Sequence, residues 1–174
     1  MEPLLRDLQR VLGAVSEKAA RQFVRAILDA RRVFVYGLGR SGLVARMFGM
    51  RLVHLGRDAT IVGDTTTPAI RAGDLLVACS RTGQSPILHH AVRLAHREGA
   101  LVAAVVGSRG TLLGRMADFV VRLPLEAARH ETPQPMGSLF EQALLLHLDG
   151  AVVQLMAELG LTAEEMERVH SNLP

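Results

Sequence analysis

Apolar residues change their spacing repeatedly along the chain, and each change marks an element boundary. Over 3–30, Leu4, Leu5, Leu8, Leu12, Val15, Phe23 and Ile27 recur at helical intervals, which predicts one long helix or two broken ones. "RVFVYG" (32–37) is apolar enough for a buried strand. Val44, Phe48, Leu52 and Leu55 then predict a helix over 41–55, closed by Gly56. "ATIVG" (59–63) reads as a second strand, "TTTPAIRAGD" as turns, and "LLVACS" (75–80) as a third strand. Ser85 as N-cap and Pro86 at the first helical position open a helix that ends at Gly99. "ALVAAVVG" (100–107) is a fourth strand, 111–117 a short helix, and "DFVVRLP" (118–124) a fifth strand. After a polar loop, 138–160 forms a long apolar helix and 162–170 a final turn or short helix.

Strands that are apolar throughout and alternate with helices form parallel sheets covered on both faces. With right-handed crossovers this predicts an α/β, three-layer, doubly wound sandwich on a five-stranded parallel sheet. Ligands in such folds sit beyond the carboxyl ends of the strands, here the loops after Tyr36, Cys79 and Val106.

Composition narrows the function. The 174 residues, 49% of them hydrophobic, are long enough for one core and short for two, so 1–174 is expected to be a single domain. Net charge is 20 − 17 = +3, and Lys18 is the only lysine. The arginines are dispersed and aromatics make up 3%, which leaves few rings for base stacking and argues against nucleic acid. Cys79 is the only cysteine, and its apolar neighbours point to a buried thiol in a reducing compartment. No uninterrupted apolar run reaches the ~18 residues of a membrane span, and the start lacks a leader pattern. The expectation is a cytoplasmic protein that meets no membrane.

Two loops carry the chemistry. "SRTGQSP" (80–86) offers the hydroxyls of Ser80, Thr82 and Ser85 and a glycine ahead of a helix N-terminus, a set of donors suited to a phosphate. No lysine follows Gly83, so it is not a P-loop. "GLGRSG" (37–42) matches the dinucleotide pattern G-x-G-x-x-G, with Asp64 as a distant acidic residue. Between Gly39 and Gly42, however, stand Arg40 and Ser41, a cation and a hydroxyl suited to a sugar phosphate. Arg51 and Asp64 are second-rank binding candidates. The histidines His54, His89, His90, His96, His130 and His147 have no partners at metal-ligand spacing, so no metal is expected.

"GLGRSG", "MRLVHLG", "VGDTTTPAI", "GDLLVACSRTGQS", "PMGSLFEQ" and the terminal "HSNLP" resemble the sugar isomerase (SIS) domain, and within it the 6-phospho-3-hexuloisomerases. The resemblance runs from about residue 5 to the end without large gaps. It implies a cofactor-free isomerase that interconverts 3-hexulose 6-phosphate and fructose 6-phosphate in the ribulose monophosphate route of formaldehyde fixation. It also implies a homotetramer with sites shared between subunits, working beside 3-hexulose-6-phosphate synthase. Such an enzyme needs a base for the proton next to the carbonyl and donors for the enediolate.

Glu141 is the candidate base. In the sequence, Ser138 to Glu141 also reads as S-x-x-E, a capping box, and a carboxylate at a helix start serves either role. His170 reads as a solvated terminal histidine or, by the resemblance, as a proton shuttle reaching a neighbouring subunit. Arg81 stands where the family more usually has glycine, and Val169 and Pro174 replace its usual arginine and acidic residue. Other readings remain open: a pentose-phosphate isomerase, a sugar-phosphate-sensing module, or a nucleotide binder. The helix over 138–160 is apolar nearly all round, which independently calls for a partner chain at its outer face.

Overall fold

The computed structural model describes residues 1–128 and 134–172. His130, Leu173 and Pro174 lie outside the described residues. The N-terminal periodicity resolves into two helices, α1 (Glu2–Gly13) and α2 (Glu17–Asp29). Ser16 separates them, its hydroxyl accepting the Ala19 N–H as the cap of α2.

Strand β1 (Arg32–Gly37), helix α3 (Gly39–His54) and strand β2 (Ala59–Ile61) follow. Next come β3 (Asp74–Ser80), α4 (Pro86–Arg97), β4 (Leu101–Val106), α5 (Leu112–Met116) and β5 (Phe119–Arg122). A 3₁₀ turn at Leu125–Ala128, the long α6 (Ser138–Leu159) and α7 (Ala163–Arg168) complete the chain. The strands pair in parallel in the order β2-β1-β3-β4-β5, the doubly wound sheet expected.

Alternation along the strands splits the core into two layers. Val33, Val35, Leu75, Val77, Cys79, Ala103 and Val105 face α1, α2, α3 and α6. Phe34, Leu76, Ala78, Val102, Ala104 and Val106 face α4 and α5. The second layer is thinner, and the deeper side of the molecule is the one built on α6. Burial pushes the Cys79 thiol up to about 12, so it packs as a small hydrophobe.

Two departures from expectation concern α6. No run of it is uninterrupted, yet among the described residues it is the one helix long and apolar enough, by length and composition, to cross a membrane. Here it lies in the core, burying Phe140, Ala143, Leu144, Leu148 and Leu155. It also does not begin with a capping box. Gly137 is the N-cap, no side chain caps the end, and Ser138 is already inside the first turn. The Glu141 carboxylate therefore takes no part in capping the helix. The reciprocal capping box occurs instead at Thr162 and Glu165, at the start of α7.

His147 on α6 lies against Phe23, with ring centroids 5.9 Å apart, and its Nε2 is buried without a hydrogen-bond partner. Burial lowers it from the ordinary 6.5 to about 4. The folded protein thus holds His147 neutral at a pH where the unfolded chain takes up a proton. Stability from this group is complete above pH 6.5 and is lost as pH falls through the window down to about 4. A displacement of this size amounts to about 3 kcal/mol. Urea melts between pH 7 and pH 4 should show that loss, and His147→Leu should flatten it; an unchanged slope in the variant contradicts the assignment.

Candidate active site

The carboxyl ends of β1 and β3 face the start of α6 across a cavity of about 380 Å³. Arg40, Ser41, Ser80, Thr82 and Glu141 all line it, so five of the residues singled out from the sequence converge. They come from three separate segments of the chain.

"GLGRSG" is less a loop than a helix start. α3 begins at Gly39, so Gly39, Arg40 and Ser41 form its first turn, two residues earlier than the periodicity predicts. The glycines answer to packing. A Cβ on Gly42 would stand 2.5 Å from the Gly37 carbonyl oxygen, closer than any side chain tolerates. Strand and helix touch backbone to backbone there, and the pattern needs no pyrophosphate to explain it.

The loop after β3 is braced from beneath. Ser80 Oγ accepts the Gly83 N–H at 3.0 Å, and Gly83 adopts φ of +61°. His89, buried on α4, stands with Nε2 2.8 Å from the Gly83 carbonyl and must donate to it. A Cβ on Gly83 would meet the Thr111 Cβ at 2.6 Å, so only glycine fits. Ser85 caps α4, its oxygen accepting the Leu88 N–H at 3.4 Å, and does not line the cavity. Its hydroxyl hydrogen remains available at the helix N-terminus.

Arg40 reaches across the cavity and ion-pairs with Glu141. The Glu141 side chain is only 14% exposed, while Arg40 is 67% exposed. The carboxylate is thus held in the wall with its charge partner on the open side. Arg81, singled out in the sequence only as a departure, brings a second guanidinium into the same cavity. Met136 adds to the rim with φ of 53°, the one left-handed non-glycine residue among those described.

Three sequence candidates lie elsewhere in the chain. Asp64 ion-pairs with Arg46 at 2.7 Å in the turn after β2. Arg51 and His170 line a separate cavity of about 540 Å³ with His54, Asp149 and Met166. Arg51 Nη1 stands 3.2 Å from His54 Nδ1, and the rings of His54 and His170 are 5.3 Å apart. Burial, then Arg51, then His170 lower the His54 pKa. The reason for the separation is geometric: Arg51 is eleven residues beyond Arg40 on one helix, roughly 16 Å along its axis. Gly137 and His89 are residues the patterns do not single out for binding, while Arg81 stands out only as a departure from the family.

Topology and site together define a doubly wound α/β domain with a polar, cationic pocket at the topological switch between β1 and β3. Residues 26–147 match the SIS domain, and the chain belongs to that family. It is 38% identical to the 3-hexulose-6-phosphate isomerase of Bacillus subtilis, over 98% of this chain and 95% of that protein. The 3-hexulose-6-phosphate isomerase of Mycobacterium gastri is 37% identical over 99% of this chain and 92% of its own. A Methanococcus jannaschii protein of known crystal structure, described as inferring a molecular function of 3-hexulose-6-phosphate isomerase, superposes with a TM-score of 0.86. It is 29% identical, covering 99% of this chain and 98% of that one.

Proposed function

We propose that this chain is an isomerase that interconverts 3-hexulose 6-phosphate and fructose 6-phosphate. The observation that carries the reading is Glu141, a recessed carboxylate paired with Arg40 directly across from the hydroxyl loop 80–85. Relatives bearing that activity in their names, at 37–38% identity over nearly the whole chain, support the choice of substrate.

In this reading the phosphate rests on the loop of Ser80, Thr82 and Ser85, with Arg81 and the N-terminus of α4 supplying positive charge. Remote binding of the phosphate fixes the reacting carbons at Glu141. Glu141 removes the proton from C2 of the 3-ketose, and the electron pair moves to give a 2,3-enediolate. A donor protonates O3, the O2 hydroxyl gives up its proton, and Glu141 returns its proton to C3. The carbonyl is then at C2. Arg40, released from the ion pair as substrate enters, stabilises the charge on the enediolate oxygens. These transfers need only acid, base and donors.

His170 is too remote to serve the Glu141 of its own chain, since the two line different cavities. We assign it to the site of a neighbouring subunit, as a proton donor. The exposed apolar residues Leu43, Met47, Met50 and Val53 of α3, and Leu146 and Val153 of α6, provide the contact surface. Light scattering at micromolar concentration should give a homo-oligomer, a tetramer in this reading; a monomer removes His170 from the mechanism.

The direct test is to supply fructose 6-phosphate and follow the 3-hexulose product, with ribulose 5-phosphate in parallel. Conversion of the hexulose alone is expected. Turnover of the pentose instead would replace the substrate, and tight binding without turnover of either would make the chain a sensor.

A further inference from the structure

A second polar cavity, of about 360 Å³, opens at the carboxyl ends of β4 and β5, beside the candidate active site and outside it. Arg109, Arg115 and Arg122 line it together with Ser108, Thr111 and Gly110. Among the described residues the carboxylate at its edge is Glu126, which takes Arg122 at 2.5 Å and Arg109 at 3.7 Å. Arg122, and secondarily the neighbouring backbone and Arg109, keep its pKa below the ordinary value, so it remains charged. Three guanidiniums against one carboxylate leave two positive charges in one concavity.

That excess has a chemical counterpart. A phosphate monoester or inorganic phosphate carries about −1.5 to −2 at neutral pH and offers three acceptor oxygens. Guanidinium forks are the side-chain geometry that binds such oxygens in pairs. The arginines are also placed by different elements. Arg109 stands on the loop after β4, Arg115 on α5 and Arg122 at the last residue of β5. Arg115 donates to the carbonyl of Gly110, which lines the same cavity. None of the three joins the ion pair of the site described above.

We propose that this cavity is a second anion site, which takes a phosphate group independently of the pocket at Glu141. It also shares structure with the loop that forms that pocket. The Gly107 N–H donates to the Arg81 carbonyl at 3.0 Å, and the Leu113 N–H donates to the Gly83 carbonyl at 3.2 Å. Thr111, buried at 3% exposure, is the side chain that packs on Gly83. An anion held at 108–122 therefore rests on the back of the 80–85 loop, whatever reaction that loop serves.

The test is equilibrium dialysis of the intact protein with labelled inorganic phosphate at moderate salt. Two phosphates per chain are expected for the wild type, and one for Arg109→Gln/Arg115→Gln, with its remaining affinity unchanged. The single variant Arg109→Gln, altering a side chain 80% exposed, should weaken the second phosphate by roughly tenfold while the fold is secure. Fructose 6-phosphate turnover, measured alongside, should persist in both variants. A wild type that binds one phosphate, or two that neither variant weakens, overturns the proposal and leaves the isomerase reading intact. Two phosphates in the wild type, one of them lost in the arginine variants, with no isomerase activity in the wild type, would uphold this site and reject the other reading.

Discussion

Replacing Glu141 by Gln should lower turnover of fructose 6-phosphate by about 10³-fold, the scale of a lost general base. The amide preserves the size of the side chain and its place in the wall, where it is 14% exposed. It takes no proton from carbon, and its attraction for Arg40 is far weaker. The fall should therefore lie in kcat. Arg40, released from its partner in the free enzyme, is more available to the substrate, so KM should stay level or drop. The phosphate loop is untouched, because its hydrogen bonds run from the Gly83 N–H to Ser80 and from His89 to the Gly83 carbonyl. A variant with full turnover would remove Glu141 from the base role. A variant that loses binding with kcat intact would make it an anchor for substrate.

The second large effect is on stability, at the opposite end of the sheet. Asp74 opens β3 with 1% exposure and gathers two hydrogen-bond donors and one further cation. The Arg71 N–H reaches it at 2.8 Å, Arg32 at 3.0 Å, and Arg31 at 3.0 Å. Arg32 is itself mostly buried, 15% exposed, and lies over the Phe34 ring at 4.9 Å. Asp74→Ala leaves that guanidinium in the core without its counter-ion, and losses of this kind run to about 3–5 kcal/mol. For a chain of this length the melting temperature should fall by about 10 °C. The measurement is a thermal melt at fixed protein concentration, since oligomerisation shifts apparent stability. Asp74→Asn, which still accepts from Arg71, should fall less. Equal stability of wild type and Asp74→Ala would show that the cluster is dispensable.

The five strands, their alternation with helices and the cap at Ser85 were readable from residue patterns because each depends on neighbours in the chain. β2, β4 and β5 are each shorter than their apolar runs, and β2 ends at Ile61 rather than 63, where the turn through Asp64 begins. Arg40, Ser41, Ser80, Thr82 and Glu141 were found for a related reason. Each follows a strand or starts a helix at the ligand-binding edge of the fold. Their pairing was not readable, because Arg40 and Glu141 are 101 positions apart and meet only when α3 packs on α6.

What spacing left open has one cause. S-x-x-E at 138 and T-x-x-E at 162 are equivalent as patterns, and only the backbone at Gly137 decides that the first is not a capping box. Asp64, a second-rank binding candidate, pairs with Arg46 away from the cavity. Arg51 was grouped with Arg40 by chemistry, whereas helix rise carries it to another cavity. Spacing reports which residues share an element, and packing decides which elements share a site.

In the proposed reaction a proton moves between C2 and C3 of a six-carbon ketose phosphate. Incubating the protein with fructose 6-phosphate in D₂O and reading the sugar by NMR tests it atom by atom. Deuterium should enter at C3 of recovered fructose 6-phosphate, together with formation of the 3-ketose. Exchange at C1, or no exchange at any carbon together with no 3-ketose, would contradict it.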